Sequence, residues 1–250
     1  MKAKHGLGCI IVLAGLATAS TYAQSTDSGW HYLVEPYLMF PNMKGDVGVA
    51  TLPPAHVDQD PDDIFSNLQI GAMLYAEAHN ERWAFASDVV YMDLESGISA
   101  GTVIAGGKAE ATQLGWELSA LARLSPWMEL GVAATYNRLD SELRIDTQGG
   151  ATLRGGLTED WIDPSMVVRA TIPLGDKWFL QGRGNIGGWG VGSDFYWQAQ
   201  GDIGYRHSPR TLFTIGYRYI SIDYDRGSGA DRFIYDVDSF GPTMKVGFTF

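Results

Sequence analysis

Residues 240–250 read Phe-Gly-Pro-Thr-Met-Lys-Val-Gly-Phe-Thr-Phe, and apolar side chains alternate with small or polar ones along this stretch. A period of two places successive side chains on opposite faces of a β-strand. The same alternation occurs at 68–77, 113–124 and 195–206. A helix would need apolar residues three and four positions apart, and these stretches lack that spacing. The sequence therefore predicts amphipathic strands.

About ten strands are predicted by this alternation. They are placed at 29–40, 66–79, 82–94, 109–124, 127–139, 160–173, 177–188, 194–207, 210–224 and 231–250. Tight turns follow every second strand, whereas long connections rich in Gly, Asp and Pro follow the first, third and fifth. This asymmetry is typical of a transmembrane β-barrel, and an even count puts both termini at the periplasmic end. The predicted fold class is all-β, a closed antiparallel up-and-down barrel of about ten strands, with eight as the alternative.

A soluble periplasmic barrel or sandwich would alternate in the same way, since one face of its sheet also contacts water. Three features favour the membrane. Charged and amide side chains occupy mid-strand polar positions, which suits a lumen, and the chain ends on an aromatic residue. Aromatic residues also cluster near strand ends, as interfacial girdles do. They are Trp30, Tyr32, Trp83, Trp127, Trp178, Phe195, Trp197, Phe248 and Phe250.

The first 23 residues have the features of a secretory signal peptide. Lys2 and Lys4 form a basic start, an apolar run follows, and residues 21–23 fit a small-x-small cleavage site. Residues 24–250 then form a single barrel domain. Cleavage would remove Cys9, the one cysteine, so disulfides and thiolate chemistry are not expected. The formal charge of −11 argues against a nucleic-acid partner, which requires a basic face.

The signal sequence, the alternating strands and the terminal GPTMKVGFTF resemble the small outer-membrane β-barrels of Gram-negative bacteria, of the OmpA/OmpW-like type. Within this class, WIDP at 161–164, GGWGVGSDFYWQ at 187–198 and GYRYISIDY at 216–224 resemble a largely uncharacterised group of outer-membrane barrels. The resemblance implies an outer-membrane location, with lipid and lipopolysaccharide as partners. It also implies that Phe248 and Phe250 act as a signal to the barrel-assembly machinery. It transfers no functional residues and no cofactor, and a monomer is favoured.

The polar face of each strand is assigned to the lumen. Its central members are Glu35, Asp88, Glu117, Arg183 and Arg218. Acids come mainly from the first five strands and bases from the last five, so an acidic wall is expected to face a basic one across a narrow barrel. Buried charges must be paired. Arg183 and Arg218 are therefore predicted each to bridge an acid of the opposite wall, either as a permanent plug or as a constriction that passes small solutes.

Two further motifs have simpler explanations. Residues 182–187 match the pattern GxGxxG, but no helix is predicted after them, so the glycines are interpreted as sites of close backbone approach, of bulges or of a tight loop. Asp58, Asp60 and Asp62 alternate as calcium ligands do, but the glycine and glutamate of an EF-hand loop are missing. These aspartates are a weak candidate metal site, and a solvated acidic loop is favoured.

The sequence favours a narrow pore for small solutes or a structural envelope protein. The alternative is a surface-binding or adhesion protein that acts through its external loops. The third hypothesis is an outer-membrane hydrolase, in which His56 beside the acidic loop would be the base. Because no nucleophile accompanies that histidine, the chain is expected not to be an enzyme.

Overall fold

The structure is a computed structural model, and it describes residues 29–49, 53–100 and 104–250. The predicted signal segment 1–23 lies outside the described residues. The strands are β1 (His31–Met39), β2 (Asn42–Val49), β3 (Ala55–Gln59), β4 (Leu68–His79), β5 (Trp83–Ile98), β6 (Ile104–Ser125), β7 (Met128–Thr147), β8 (Thr152–Leu174), β9 (Trp178–Gly188), β10 (Phe195–Ser208), β11 (Thr211–Arg226) and β12 (Phe233–Thr249). The helices are α1 (Pro61–Asn67) and a single 3₁₀ turn at Gly229–Asp231.

The strands form one closed barrel. β1 and β4 to β12 pair antiparallel with their neighbours in turn, and β1 also pairs with β12, which closes the sheet. The prediction of ten barrel strands is confirmed, and the alternative of eight is wrong. β2 and β3 are an addition: β2 continues the direction of β1 along β12, after a break at Phe40 and Pro41, and β3 folds back on β2. The break falls where proline cannot donate a ladder hydrogen bond.

The two ends of the barrel differ as predicted, but the strands are longer than predicted. Tight turns join β4 to β5, β6 to β7, β8 to β9 and β10 to β11. At the other end the predicted long connection 140–159 is wrong, because β7 and β8 continue as a paired hairpin to a turn at 148–151. Strands of 20 and 23 residues are about twice as long as a membrane crossing requires. Above the membrane both faces of this hairpin contact water, so the apolar alternation that marks a strand is lost.

A short helix follows β3. Asp60 caps α1, since its side chain accepts a hydrogen bond from the backbone of Asp63 and the Asp63 side chain accepts one from the backbone of Asp60. Ile64 is the buried residue of α1, and Phe65 packs against the ring of Phe40, with ring centroids 5.3 Å apart. In the part of the chain that the structure describes, no helix is long and apolar enough to span a membrane.

The alternation separates an apolar exterior from a polar interior. Outward residues of β7 and β8 such as Leu130, Val132, Ile162 and Met166 remain 41–61% exposed. The inward residues between them are buried, and many are polar or charged. The hydrophobic residues of the exterior therefore form a band around the barrel wall that suits contact with lipid.

Candidate functional site

The lumen is crossed by ion pairs, and the first joins β11 to β5. The Arg218 guanidinium donates from Nη1 to Asp88 Oδ2 at 3.0 Å and from Nη2 to Gln198 Oε1 at 2.8 Å. Tyr37 on β1 donates to Asp88 Oδ1 at 2.7 Å and accepts from Arg218 at 2.9 Å. These two charged residues, 6% and 14% exposed in their side chains, thus have several polar partners. A buried charge requires such a set of hydrogen-bond and ion-pair partners.

A second bridge joins β9 to β6. Arg183 forms a buried ion pair with Glu117 and donates to the Ser119 hydroxyl at 3.3 Å. Asn185, two residues along β9, donates to the second oxygen of Glu117 at 2.7 Å. Four side chains from two strands that are three places apart in the barrel thus meet inside it. The structure places Asp88, Glu117, Arg183 and Arg218 in two bridges between non-neighbouring strands.

A third cluster lies nearer the turn end of the barrel. Arg169 on β8 forms ion pairs with Glu77 on β4 and with Glu129 on β7. Tyr75 donates to Glu77 and accepts from Arg169, while Arg123 pairs with Glu129 at 3.0 Å. Glu77 and Arg169 belong to strands four places apart around the barrel, so this pair also spans the lumen.

Glu35 behaves differently from the other four predicted lumen residues. Its side chain is buried, and among the described residues none forms an ion pair with it. The nearby Lys245 instead pairs with Asp202 at 3.5 Å. Glu35 therefore lies in the lumen without joining the bridges.

An aromatic cluster fills the half of the lumen toward the long strands. Its buried members are Trp161, Tyr196, Ile222, Tyr224, Phe233, Tyr235 and Val237. The rings of Trp161 and Tyr224 stack with centroids 4.2 Å apart. Between this cluster and the Arg218–Asp88 ion pair lies a cavity of about 70 Å³, whose lining includes Met39, Met73 and Met92.

One carboxylate anchors the connection between β9 and β10. Asp163 on β8 is fully buried and accepts hydrogen bonds from the Ser193 backbone at 2.6 Å and hydroxyl at 2.8 Å. Trp161 and Asn137 donate to the same carboxylate at 2.8 and 3.1 Å. Arg226 also donates to the carbonyl oxygens of Gly190 and Gly192. The connection is thereby fixed at the end of the barrel that carries the long strands.

The acidic residues near β3 have partners within the protein or lie at the start of α1. Asp58 pairs with Lys44 at 3.2 Å, Asp60 caps α1, and Asp62 lies in the first turn of the helix. Across the described ranges no three His, Cys, Asp or Glu residues are arranged to hold a metal ion. His56 contacts Asp46 at 3.1 Å, but both side chains are more than half exposed. Ser119 contacts Arg183 and Ser87 accepts a hydrogen bond from Trp116, so these two serines have other partners than His56.

The GxGxxG stretch lies in β9, and the next residue, Gly188, ends the same strand and does not begin a helix. A Cβ atom at Gly187 would overlap the Pro164 carbonyl oxygen, so β8 and β9 approach closely there. At Gly182 the same atom would meet nothing within 4 Å. Close approach therefore explains Gly187 and not Gly182.

Phe248 and Phe250 lie at the turn end of β12 and are 41% and 72% exposed. The Phe250 backbone exchanges hydrogen bonds with Tyr32, at 2.9 and 3.2 Å. The chain end is thus paired to the first strand, and its two aromatic rings are open to contact.

The long strands carry a charged rim that lies above the outward apolar residues. On β7, Arg138 donates to Asp140 at 2.8 and 3.1 Å, and Thr158 on β8 donates to the same carboxylate at 2.6 Å. These hydrogen bonds hold the pKa of Asp140 below its usual range. One row of like charge also crosses the rim, since Lys108, Arg144 and Arg154 lie opposite one another on β6, β7 and β8.

Sequence reasoning missed several residues of the interior. Tyr37, Gln198 and Asn185 complete the two bridges, and Asp163 with Ser193 fixes the β9–β10 connection. The alternation places the first three on the inward face, which is the signal that identifies them as candidates. No local signal marks the pairing of Asp163 with Ser193.

Solved structures share this fold. The outer-membrane protease OmpT from Escherichia coli aligns with a TM-score of 0.57 and 12% identity, over 92% of this chain and 100% of that chain. The translocator domain of the autotransporter NalP from Neisseria meningitidis aligns with a TM-score of 0.41 and 11% identity, over 88% of each chain. Ail of Yersinia pestis, in complex with sucrose octasulfate, aligns with a TM-score of 0.37 and 9% identity, over 89% of this chain and 99% of that chain. No protein-family model and no curated protein matches the sequence. The chain has the fold of Gram-negative outer-membrane β-barrels, as the resemblance implied.

Proposed function

We propose that this protein is a plugged barrel of the Gram-negative outer membrane that acts as a structural element of the envelope. The observation that carries the proposal is the set of bridges between distant strands: Arg218 with Asp88, Arg183 with Glu117, and Arg169 with Glu77. Each bridge places a guanidinium and a carboxylate in the path of a solute. In a ten-stranded barrel, which is narrow enough for side chains to fill, such pairs block passage rather than line a pore.

The open-constriction hypothesis is the less favoured one. A charged constriction passes solutes when its binding groups are free to exchange partners with the solute. Here Asp88 and Glu117 are each held by an arginine and by one further polar side chain. Liposomes that contain the purified wild type should therefore shrink and not reswell in hypertonic sugar or amino acid. Reswelling at a rate set by solute size would refute the plug.

Export, location and partners are parts of the same proposal. Residues 1–23 direct export, the outward apolar band contacts lipid and lipopolysaccharide, and Phe248 with Phe250 meets the assembly machinery. Recovery in the outer-membrane fraction and heat-modifiable migration on a gel are the expected results. Solubility without detergent would refute the location.

A second candidate function is surface binding by the rim. It is favoured by the length of β6, β7 and β8, which place paired strands with charged outer faces beyond the membrane. Replacing 141–157 by a short turn should then abolish cell-surface binding and leave the heat-modifiable fold intact. The hydrolase hypothesis has only the exposed His56–Asp46 contact in its favour.

A further inference from the structure

We infer that the half of the lumen toward the long strands holds a binding site for a soft monovalent cation, Cu(I) or Ag(I), formed by three thioethers. Met39, Met73 and Met92 line the same cavity of about 70 Å³. They belong to β1, β4 and β5, which are consecutive around the barrel. A metal ion bound by three side chains needs donors from different chain segments, and these methionines belong to three different strands that line one cavity.

The register places the three methionines on neighbouring inward positions of the barrel wall. Val90 lies opposite Met73 and Gly71 lies opposite Met92, so the two methionines are diagonal neighbours on the inward face of β4 and β5. Diagonal neighbours are within reach of long side chains. Met39 lies on the other side of Met73, and its backbone N–H donates a hydrogen bond to Met73 Sδ, with 3.3 Å between the nitrogen and the sulphur.

The distribution of methionine supports a role beyond packing. Seven methionines follow the predicted signal segment, at positions 39, 43, 73, 92, 128, 166 and 244. Three line the cavity, and Met43 packs against the adjacent aromatic cluster. By contrast, Met166 and Met244 point outward and are about half exposed. Methionine commonly fills gaps in cores. These three instead line a cavity, together with residues that include the ion-paired Asp88, Glu117 and Arg218.

Donor chemistry selects the ligand. Thioethers are neutral, soft donors that favour Cu(I) over Zn²⁺, Mg²⁺ or Ca²⁺. The only cysteine is Cys9, in the predicted signal segment, so no thiol of residues 24–250 competes for the ion. Unlike a thiolate or imidazole site, a thioether site needs no deprotonation, so its affinity should change little with pH.

The strand ladder is interrupted beside the site. The pairing of β1 with β4 ends at Pro36 and Leu74. Beyond that point β2 pairs with β12 and β3, so in the described chain residues 68–73 have no strand partner on the β1 side. Met39 and Met73 flank this seam.

The test uses the refolded residues 24–250 in detergent and an anaerobic competition with bicinchoninate for Cu(I), repeated with Ag⁺ by calorimetry. Loss of an outer-shell partner alone costs about 10- to 100-fold in metal affinity, so the triple variant Met39→Leu/Met73→Leu/Met92→Leu should bind more than about 100-fold more weakly than wild type. The matched control is Met166→Leu/Met244→Leu, which removes two outward methionines and should bind one equivalent as tightly as wild type. Zn²⁺ should not displace Cu(I).

Heat-modifiable migration and the urea midpoint verify that each variant is folded. Leucine has nearly the volume of methionine, so the triple variant should keep the heat-modifiable migration and the urea midpoint of the wild type. Equal Cu(I) affinity in the triple variant and wild type would overturn the site. Failure of the wild type to compete with bicinchoninate or to bind Ag⁺ would overturn it as well, and would identify the cavity as ordinary packing. The liposome result tests the plug separately, because the site needs no path to the periplasm.

Discussion

Arg218 and Asp88 lie 130 residues apart in the sequence, and Arg218 Nη1 contacts Asp88 Oδ2 at 3.0 Å inside the barrel. The arginine projects from β11 and the aspartate from β5, with three strands between them along the shorter path around the wall. Tyr37 on β1, midway along that path, contacts both. The pair therefore acts as a cross-brace that ties distant strands of the barrel together.

Removing one partner of this brace should destabilise the protein strongly. Arg218→Met leaves Asp88 buried and unpaired, which should lower the free energy of unfolding by about 3–5 kcal/mol in a urea titration. The double variant Arg218→Met/Asp88→Leu removes both charges and should recover most of that loss. As a control, Arg144→Met at the exposed rim should change stability by less than about 1 kcal/mol. A single variant as stable as the control would show that the bridge does not brace the barrel.

The two glycines of the GxGxxG stretch should respond differently to alanine. Gly187→Ala forces a methyl group against the Pro164 carbonyl oxygen and should cost about 1–3 kcal/mol. Gly182→Ala adds a methyl group in open space on the outward face, so a change within about 0.5 kcal/mol is expected. The urea midpoints of the two variants measure this difference in stability. Equal midpoints would mean that the spacing has no structural basis in strand approach.

Asp163 should control the order of the β9–β10 connection. In Asp163→Ala the Ser193 amide loses its acceptor, so its hydrogen exchange should accelerate by at least about tenfold, the equivalent of about 1.4 kcal/mol. Exchange in the turns at the other end should stay unchanged. Asp176→Ala, in the turn between β8 and β9, is the matched control. Unchanged exchange at Ser193 would indicate that other contacts, such as those of Arg226, fix the connection.

The rim carboxylate Asp140 should titrate below its ordinary value of 3.8, because Arg138 and Thr158 donate hydrogen bonds to its ionised form. A lowered pKa in the folded state means that this contribution to stability is present above the ordinary value and is lost as the pH falls through the lowered one. Carboxyl ¹³C NMR of the protein in micelles measures it directly. Arg138→Gln should return the pKa of Asp140 toward 3.8, whereas Arg154→Gln should leave it unchanged. An ordinary pKa in wild type would contradict the contact.

The barrel was predictable because each membrane strand has one apolar and one polar face. In 240–250 and 195–206 that alternation is complete, and both are strands. The rim hairpin was not predictable in this way. Residues 141–157 lose the alternation because neither face contacts lipid, yet the backbone ladder of β7 and β8 continues through them.

The interior was predictable as a set of inward residues and not as a set of pairs. Alternation assigns Glu117 and Arg183 to the lumen, but their contact depends on strand order and stagger, which no local pattern encodes. Glu35 illustrates the limit, since it is buried as expected while Lys245 pairs with Asp202 instead. The Asp163–Ser193 contact depends on how a connection folds and has no periodic signal at all.

On the proposed function, ion pairs between distant strands close the lumen. Planar-bilayer conductance of the wild type beside the triple variant Arg169→Ala/Arg183→Ala/Arg218→Ala tests this. The wild type should give no discrete conductance steps. The triple variant, which loses all three bridges, should give small, brief ones. Reproducible steps from the wild type would contradict the plug, and silence from both proteins would contradict the assignment of closure to these bridges.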